Sequence, residues 1–349
     1  YYLRTKGYPV TIFEKESRAG GMLMNGIPSF RLEKSVIEAE IDILKQMGIE
    51  FRYNVEIGKD ITIPELRAQG YQAFYIAIGA QGGRKTGIPG EDAKGVTTGV
   101  EFLRSVNLNE DSVHLNGRTV VIGGGNTAMD TARAAKRTKG VEHVYLVYRR
   151  TKRYMPADAE ELLMAVEDGV EFKELLAPVK LENGKLLCDM MQLTDMDASG
   201  RRGVAKTGKQ EEVFADTVIA AVGEQVDTSF LENFGIAVNE RGKALVNQET
   251  LETSVEGVYV VGDGFNGPAT VVEAIGDAKK AAEAILGRPA AKDFDDQTEE
   301  EIIYSRRGIL AETKEAEKES SRCLGCSGIC ENCVEVCPNR ANVAVHVPG

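Results

Sequence analysis

The sequence is poor in features that membrane proteins, nucleic-acid-binding proteins and histidine-dependent enzymes need. No apolar run approaches the roughly 20 residues of a membrane span, and no charged segment followed by an apolar one opens the chain. Lys and Arg number 42 against 54 Asp and Glu, so the clustered positive charge that nucleic acid or an anionic membrane requires is missing. Only three histidines are present. These absences predict a cytoplasmic protein with no nucleic-acid partner and no membrane span.

Cysteine is nearly absent from most of the chain and is concentrated near its end. Cys188 stands alone, and the other five thiols have metal-ligand spacing in a chain without a secretion signal. Those five are Cys323, Cys326, Cys330, Cys333 and Cys337. The last three, followed by proline, match the end of the ferredoxin run C-x2-C-x2-C-x3-C-P. We therefore predict that four of the five hold a [4Fe-4S] cluster, with a tetrahedral zinc site as the alternative.

Residues 120–150 are the part of the sequence around which the chain is organised. They predict a strand, a glycine turn, a helix and a second strand, with the spacing G-x-G-x-x-A at the turn. The predicted phosphate contacts are Gly123, Gly125, Asn126 and Thr127. The second strand ends in Arg149-Arg150, where an NAD site usually carries a carboxylate. Two guanidinium groups suit a 2′-phosphate, so the pattern favours NADP.

The beginning of the chain predicts part of a second dinucleotide site. A strand over residues 10–14 ends in Glu14, as the second strand of a Rossmann unit does, with a carboxylate for ribose hydroxyls. The first strand and its glycine turn would precede Tyr1. Gly20 and Gly21 permit a close backbone approach, and Val55 follows a strand where it can lie against an adenine.

Several further strands end directly in a glycine. Residues 73–78 and 217–222 share this pattern, and residues 257–262 lead through Gly-Asp to the start of a new helix. We predict cofactor contacts from these strand ends and from the helix start. They are Gly79, Gly223, Gly262, Asp263, Ala269, Thr270 and Val271. Asp263 has a second interpretation, as a turn or capping residue.

The order of these features predicts an inserted domain, because Asp263 lies so far along the chain from Glu14. Turn-rich segments at residues 87–92 and 116–117 surround a short helix and indicate a boundary. We expect an FAD domain in two parts, residues 1–112 and 251–290, with an NAD(P) domain at residues 113–250. A charged linker and iron–sulfur tail occupies residues 291–349. The fold class is α/β, with two Rossmann-like dinucleotide-binding domains.

Taken together, the motifs resemble the glutamate synthase small-subunit family across nearly the whole chain. They include the Glu14 strand, Gly20-Gly21, Gly26-Ile-Pro28-x-Phe-Arg31, Gly123 to Asp130, Tyr148-Arg-Arg150, Met155-Pro-Ala157 and Gly262-Asp263. The cysteine segment beginning Arg322-Cys-Leu-Gly-Cys326 follows the flavin domain instead of preceding it. The chain in this respect is most similar to the selenate reductase subunit branch, and is expected to be an internal piece of a longer protein.

The resemblance implies an NADPH-dependent FAD oxidoreductase with cysteine-bound iron–sulfur clusters. We predict hydride transfer from NADPH to FAD, then electron transfer through the cluster to a partner subunit or acceptor, with no general acid, base or nucleophile. One alternative is a non-catalytic, cluster-bearing docking module of a larger redox complex. A disulfide reductase is disfavoured because Cys188 is the only thiol within the nucleotide domains. The sequence determines neither the final acceptor nor the oligomeric state.

Overall fold

The structure, a computed structural model, describes residues 1–109, 112–196, 202–240 and 242–287. All of these belong to one unit, Tyr1–Arg288. The predicted charged linker and the five clustered cysteines lie outside the described residues. Within the described part, no helix is both long and apolar enough to cross a membrane.

Helices and strands largely alternate up to residue 174, and a run of strands then continues to residue 225. The helices are α1 Tyr2–Thr5, α2 Gly21–Asn25, α3 Lys34–Gln46, α4 Ile63–Ala68, α5 Gly99–Leu108, α6 Asn126–Arg137, α7 Ala159–Glu167, α8 Thr228–Asn233, α9 Asp263–Asn266 and α10 Val271–Ile285. The strands are β1 Thr11–Glu14, β2 Glu50–Tyr53, β3 Phe74–Ile76, β4 Gly82–Gly83, β5 Val96–Thr98, β6 His114–Ile122, β7 Lys139–Tyr148, β8 Glu171–Glu174, β9 Leu176–Glu182, β10 Lys185–Met196, β11 Arg202–Phe214, β12 Thr217–Ala220, β13 Glu224–Gln225 and β14 Val258–Val260.

A five-stranded parallel sheet in the order β5-β12-β6-β7-β8 forms the centre of the middle part of the chain. Both of its faces are covered, as parallel sheets require. Val121 and Leu146 face α5, α6 and α7, whereas Val120 and Val147 face the antiparallel sheet β11-β10-β9. Side chains alternate between faces along a strand, and this is why neighbouring valines of β6 enter different cores.

The remaining strands form two parallel pairs, β1 with β2 and β3 with β14. Phe74 and Val258, from the second pair, pack in one core with Leu66 of α4 and Leu231 of α8, and Phe13 of β1 borders that core. The first and last thirds of the described chain therefore share a core, although α5 to α7 and the central sheet lie between them in sequence. The discontinuous domain and its insertion stay predictions.

Two short strands lie where the chain passes between these regions. Gly82 and Gly83 of β4 pair antiparallel with Gln225 and Glu224 of β13. We call residues 84–223 the inserted lobe and residues 1–83 with 224–287 the split lobe. The two segments that connect the lobes, β4 and β13, thus pair with each other in a short antiparallel ladder.

Two details differ from the sequence expectation. The turn predicted at Asn116 and Gly117 is wrong: both residues lie inside β6, where the pairing with β7 shifts register on either side of Gly117. Gly117 has a φ of +52°, so the glycine forms an irregularity in a continuing strand instead of ending it. In addition, β5 pairs with β12 in the central sheet although it precedes the predicted boundary at residue 113. The domain boundaries themselves stay predictions.

Candidate functional site

The glycine turn between β6 and α6 brings backbones together more closely than side chains allow. A Cβ atom on Gly123 would lie 2.2 Å from the carbonyl oxygen of Ala221 and 2.8 Å from the Cβ of Ala128. A Cβ on Gly124 would lie 2.3 Å from the ring of Tyr148. Gly125 is different, because nothing lies within 4 Å of the corresponding position. The first two glycines are therefore required by packing, and the third leaves open space at the start of the helix.

The beginning of α6 has the properties of an anion site. Its N-cap residue is Gly125, which has no side chain to accept a hydrogen bond from the first turn. Free N–H groups and the positive end of the helix dipole favour a phosphate at such a position. The hydroxyl of Thr127 donates to Glu224 Oε1 at 2.5 Å, and Asn126 Oδ1 accepts from the N–H of Asp158 at 3.2 Å. Both predicted polar contacts thus have protein partners at the edges of this opening.

Arg149 and Arg150 follow β7, which is the neighbour of β6 in the parallel sheet. The carboxyl ends of these strands therefore lie at the same edge, beside the glycine turn. Arg149 is exposed and has no ion pair with another described residue, whereas Arg150 is half-buried and its Nε donates to the carbonyl of Arg202 at 3.3 Å. The two guanidinium groups have different local roles, and the freer one is Arg149.

The split lobe brings together three of its predicted glycines. Gly21 at the start of α2, with a φ of +50°, and Gly79 after β3, with a φ of +64°, both lie beside the side chain of Gln81. The Gln81 amide nitrogen lies 3.2 Å from a Cβ built on Gly79 and 4.0 Å from one built on Gly21. Gly20, with a φ of +119°, packs against Met24 and the α3 side chains. Gln81 belongs to no motif, so sequence reasoning missed it.

The strand-end residue Glu14 lies close to its own backbone. Its Oε1 accepts from the N–H of Glu16 at 2.9 Å, and its carbonyl accepts from the N–H of Val55 at 3.0 Å. Val55 is half-buried beside this strand end. The structure thus places these two predicted contacts together at the carboxyl edge of β1 and β2.

Asp263 joins two backbone segments that each carry predicted cofactor contacts. It accepts hydrogen bonds from the N–H of Ala269, at 3.1 Å, and from that of Ala80. Burial raises the pKa of its carboxyl, with these two hydrogen bonds acting in the opposite direction. The bond to Ala269 supports the turn-forming interpretation.

The end of this segment is a regular helix start. Thr270 caps α10 in a capping box with Glu273, and Val271 is 48% exposed. Gly262 has a φ of +61°, and its N–H donates to Asp277 Oδ2 at 3.1 Å. Gly223, with a φ of +126°, lies elsewhere, beside Arg84 at the crossing between the lobes.

The only free cysteine in the described part of the chain is unsuited to redox chemistry. Cys188 is fully buried between the central sheet and the antiparallel sheet, and burial raises its thiol pKa to about 12. A buried, protonated thiol is a poor nucleophile. The described residues also contain no group of three or more metal-ligating side chains.

Comparison with known proteins gives consistent results. The model of the family described as "Pyridine nucleotide-disulphide oxidoreductase" matches residues 1–278. "Putative oxidoreductase YgfK" of Escherichia coli (strain K12) is 38% identical over 363 residues, which cover 100% of this chain and 35% of that protein. "Glutamate synthase [NADPH] small chain" of the same organism is 34% identical, covering 81% of this chain and 64% of that one. The chain thus spans about a third of YgfK's length.

A solved structure shows the same fold. "Mycobacterium tuberculosis FprA in complex with NADPH" matches with a TM-score of 0.68 and 22% sequence identity, over 80% of this chain and 77% of that one. The α/β fold with Rossmann-like dinucleotide-binding domains is confirmed, as is the resemblance to the glutamate synthase small chain and the assignment as an oxidoreductase. The individual site residues stay predictions.

The glycine turn allows a matched pair of substitutions. Gly123→Ala should lower the free energy of unfolding by about 1–3 kcal/mol, because its methyl group overlaps the Ala221 carbonyl. Gly125→Ala should change stability by less than about 0.5 kcal/mol, since its φ is −95° and the space is open, yet weaken NADPH binding about tenfold. Urea unfolding and NADPH titration measure the two effects. Unchanged NADPH affinity in the Gly125 variant would contradict the phosphate assignment.

Proposed function

This chain belongs to the pyridine nucleotide-disulphide oxidoreductase family, and from that premise we propose that it accepts electrons from NADPH and delivers them to a partner subunit. When bound, FAD supplies hydride acceptance and single-electron release, and a cysteine-bound [4Fe-4S] cluster supplies the outgoing path. The observation that carries the proposal is the turn at Gly123 to Gly125, which is closed by packing at two positions and open at the third.

In the inserted lobe, the chain's own groups are proposed to hold and orient the dinucleotide. The backbone at Gly125, Asn126 and Thr127 would bind the pyrophosphate at the start of α6. Arg149, with no described ion pair to break, would bind the 2′-phosphate, and Arg150 would support it from its bond to the Arg202 carbonyl. Because Arg149 has no ion pair within the described residues, its positive charge is available locally, although the net charge of the protein is −12.

In the split lobe, Glu14 and Val55 are proposed to bind the adenosine end of FAD, and the glycine cluster its diphosphate and ribityl chain. We define that cluster as Gly20, Gly21 and Gly79, together with Gly262, which follows β14 beside β3. Asp263 would hold the Ala269 to Val271 backbone in place through its hydrogen bond to Ala269. Gly223 would permit the chain to return between the two sites. Positioning and exclusion of water are the protein's contribution, because the chemistry belongs to the cofactors.

The outgoing path is proposed from the cysteine spacing at residues 323–337 and from the relatives. The glutamate synthase protein is named as a small chain, which supports a partner subunit here as well. A disulfide reductase gains no support, since Cys188 is buried and no second cysteine lies in the described part.

The flavin spectrum tests the main proposal. The purified full-length protein should show the yellow flavin absorption band, and anaerobic NADPH should bleach it. A protein that contains no flavin, or whose flavin NADPH does not bleach, would refute the proposal.

The 2′-phosphate assignment is tested by charge reversal. Arg149→Glu should raise the KM for NADPH about tenfold to a hundredfold, because a charged hydrogen bond is replaced by repulsion, and should leave that for NADH nearly unchanged. Lys94→Glu is the matched control, since exposed Lys94 precedes β5 at the opposite edge of the sheet. An unchanged preference for NADPH over NADH in the Arg149 variant would contradict the 2′-phosphate assignment.

The cluster is tested by chemical analysis of the full-length protein. Replacing Cys330 and Cys333 together by serine should remove about four iron atoms and about four labile sulfides per chain relative to the parent. The flavin band serves as the control for folding. Loss of zinc without loss of sulfide would instead establish the zinc alternative.

A further inference from the structure

The two lobes are joined by a narrow connection. Besides the β4–β13 ladder, the N–H of Arg84 donates to the carbonyl of Gly223 at 2.9 Å. Gly82, Gly83 and Gly223 lie in this crossing, and short element ends of this kind can absorb the backbone rotations of a hinge. These glycines are the positions at which the backbone would rotate if the lobes moved relative to each other.

A partly buried ion pair links the lobes away from this crossing. Arg31, in the segment between α2 and α3 of the split lobe, donates from Nε to Asp130 Oδ1 at 2.8 Å and also pairs with Glu161. Asp130 lies on α6 and Glu161 on α7. The three side chains are 27%, 10% and 13% exposed. One guanidinium thus connects the split lobe to two helices of the inserted lobe.

The preceding residue makes a separate contact with the same lobe. The ring of Phe30 lies below the guanidinium groups of Arg133, at 4.6 Å, and Arg137, at 4.3 Å. Asp168, just after α7, pairs with both arginines at 2.7 Å. The Phe30 ring therefore makes cation–π contacts with two guanidinium groups, and the Asp168 carboxylate holds both of these in place.

Residues that precede this segment, between Glu16 and Asn25, contact α5. Arg18 donates to the carbonyl of Asn107 at 3.0 Å, and Asn107 donates to the carbonyl of Asn25 at 2.9 Å. Arg104 of α5 pairs with Glu16. Residues 16–31 thus contact three successive helices of the inserted lobe.

Energetics indicate orientation as the use of this contact. Taking charges partly out of water offsets much of their mutual attraction, and exposed pairs contribute little, so this ion pair is weak evidence for stability. The ion pair instead restricts orientation, because Arg31 contacts both carboxylates at only one relative placement of the lobes. Asp130 lies one turn beyond Asn126 on α6, the helix whose start is the proposed phosphate site. Fixing Asp130 therefore fixes the proposed nucleotide site as well.

We propose that Phe30 and Arg31 form a clamp that holds the inserted lobe in the orientation needed for hydride transfer between the two cofactor sites. This rests on the proposed function. Both are positioning residues, acting through α6 and α7. A misplacement of about 1 Å between reacting groups lowers rates by about a hundredfold, so the clamp should control the transfer rate more than NADPH affinity.

Stopped-flow reduction of the full-length flavoprotein by NADPH tests the clamp. Glu161→Gln and Phe30→Ala should each slow flavin reduction about tenfold, and Arg31→Met about tenfold to a hundredfold, with the Kd for NADPH within about twofold of the parent. Arg31→Lys should recover part of the rate. Lys180→Met is the control, because its ion pair with Glu182 lies within one lobe. Equal rates in all variants, or a changed Kd at unchanged rate, would overturn the clamp.

Hydrogen exchange separates this proposal from the proposed function. Loss of the clamp should increase amide exchange at residues 82–84 and 223–225 in Glu161→Gln but not in Lys180→Met, whether or not NADPH reduces the flavin. If the parent is not reduced by NADPH, the proposed function fails while this comparison still tests the clamp. Unchanged exchange at the crossing would refute the clamp even in an active enzyme. Glu161→Gln is the main variant because it removes only a charge.

Discussion

The close approach of Gly123 to the carbonyl of Ala221 is the constraint on which the rest of the site depends. Because Gly123 has no Cβ, the chain leaving β6 can lie directly against the chain leaving β12, its neighbour in the sheet. That contact fixes where α6 begins, since Gly123 also packs against Ala128 of its first turn. It also fixes where β12 leaves the sheet toward Gly223. The proposed nucleotide site and the crossing between the lobes thus share one packing contact.

Local parts of this arrangement could be predicted from sequence, and its long-range parts could not. The turn, α6 and the strand before it are specified by neighbouring residues, so the G-x-G-x-x-A pattern with its flanking valines was sufficient. Arg31 and Asp130 are 99 residues apart, and nothing in either local pattern indicates the other. Gln81 and Glu224 were missed for the same reason, because each lies at the site through tertiary packing.

The strand assignments show how tertiary context changes a local signal. Asn-Gly usually ends a strand, yet at residues 116–117 it lies within β6, because pairing with β7 continues past a single irregular glycine. β5 has three residues and no strong pattern of its own, and only its pairing with β12 makes it part of the central sheet. Periodicity predicts an element's type better than it predicts the sheet to which a short element belongs.

The carboxylates of buried Asp130 and half-buried Asp263 would, on their pKa values alone, suggest acid–base chemistry. Burial raises the pKa of Asp130 to about 6 and also raises that of Asp263. Their partners indicate other roles: Asp130 pairs with Arg31 across the lobes, and Asp263 accepts from two backbone N–H groups. Each carboxylate orders the segment that carries a proposed cofactor site. The raised pKa is the consequence of placing such a connection in the interior, where few waters can solvate the charge. Electron transfer between cofactors needs rigid placement more than a proton donor, and rigid placement is the role that the proposed function gives to these two residues.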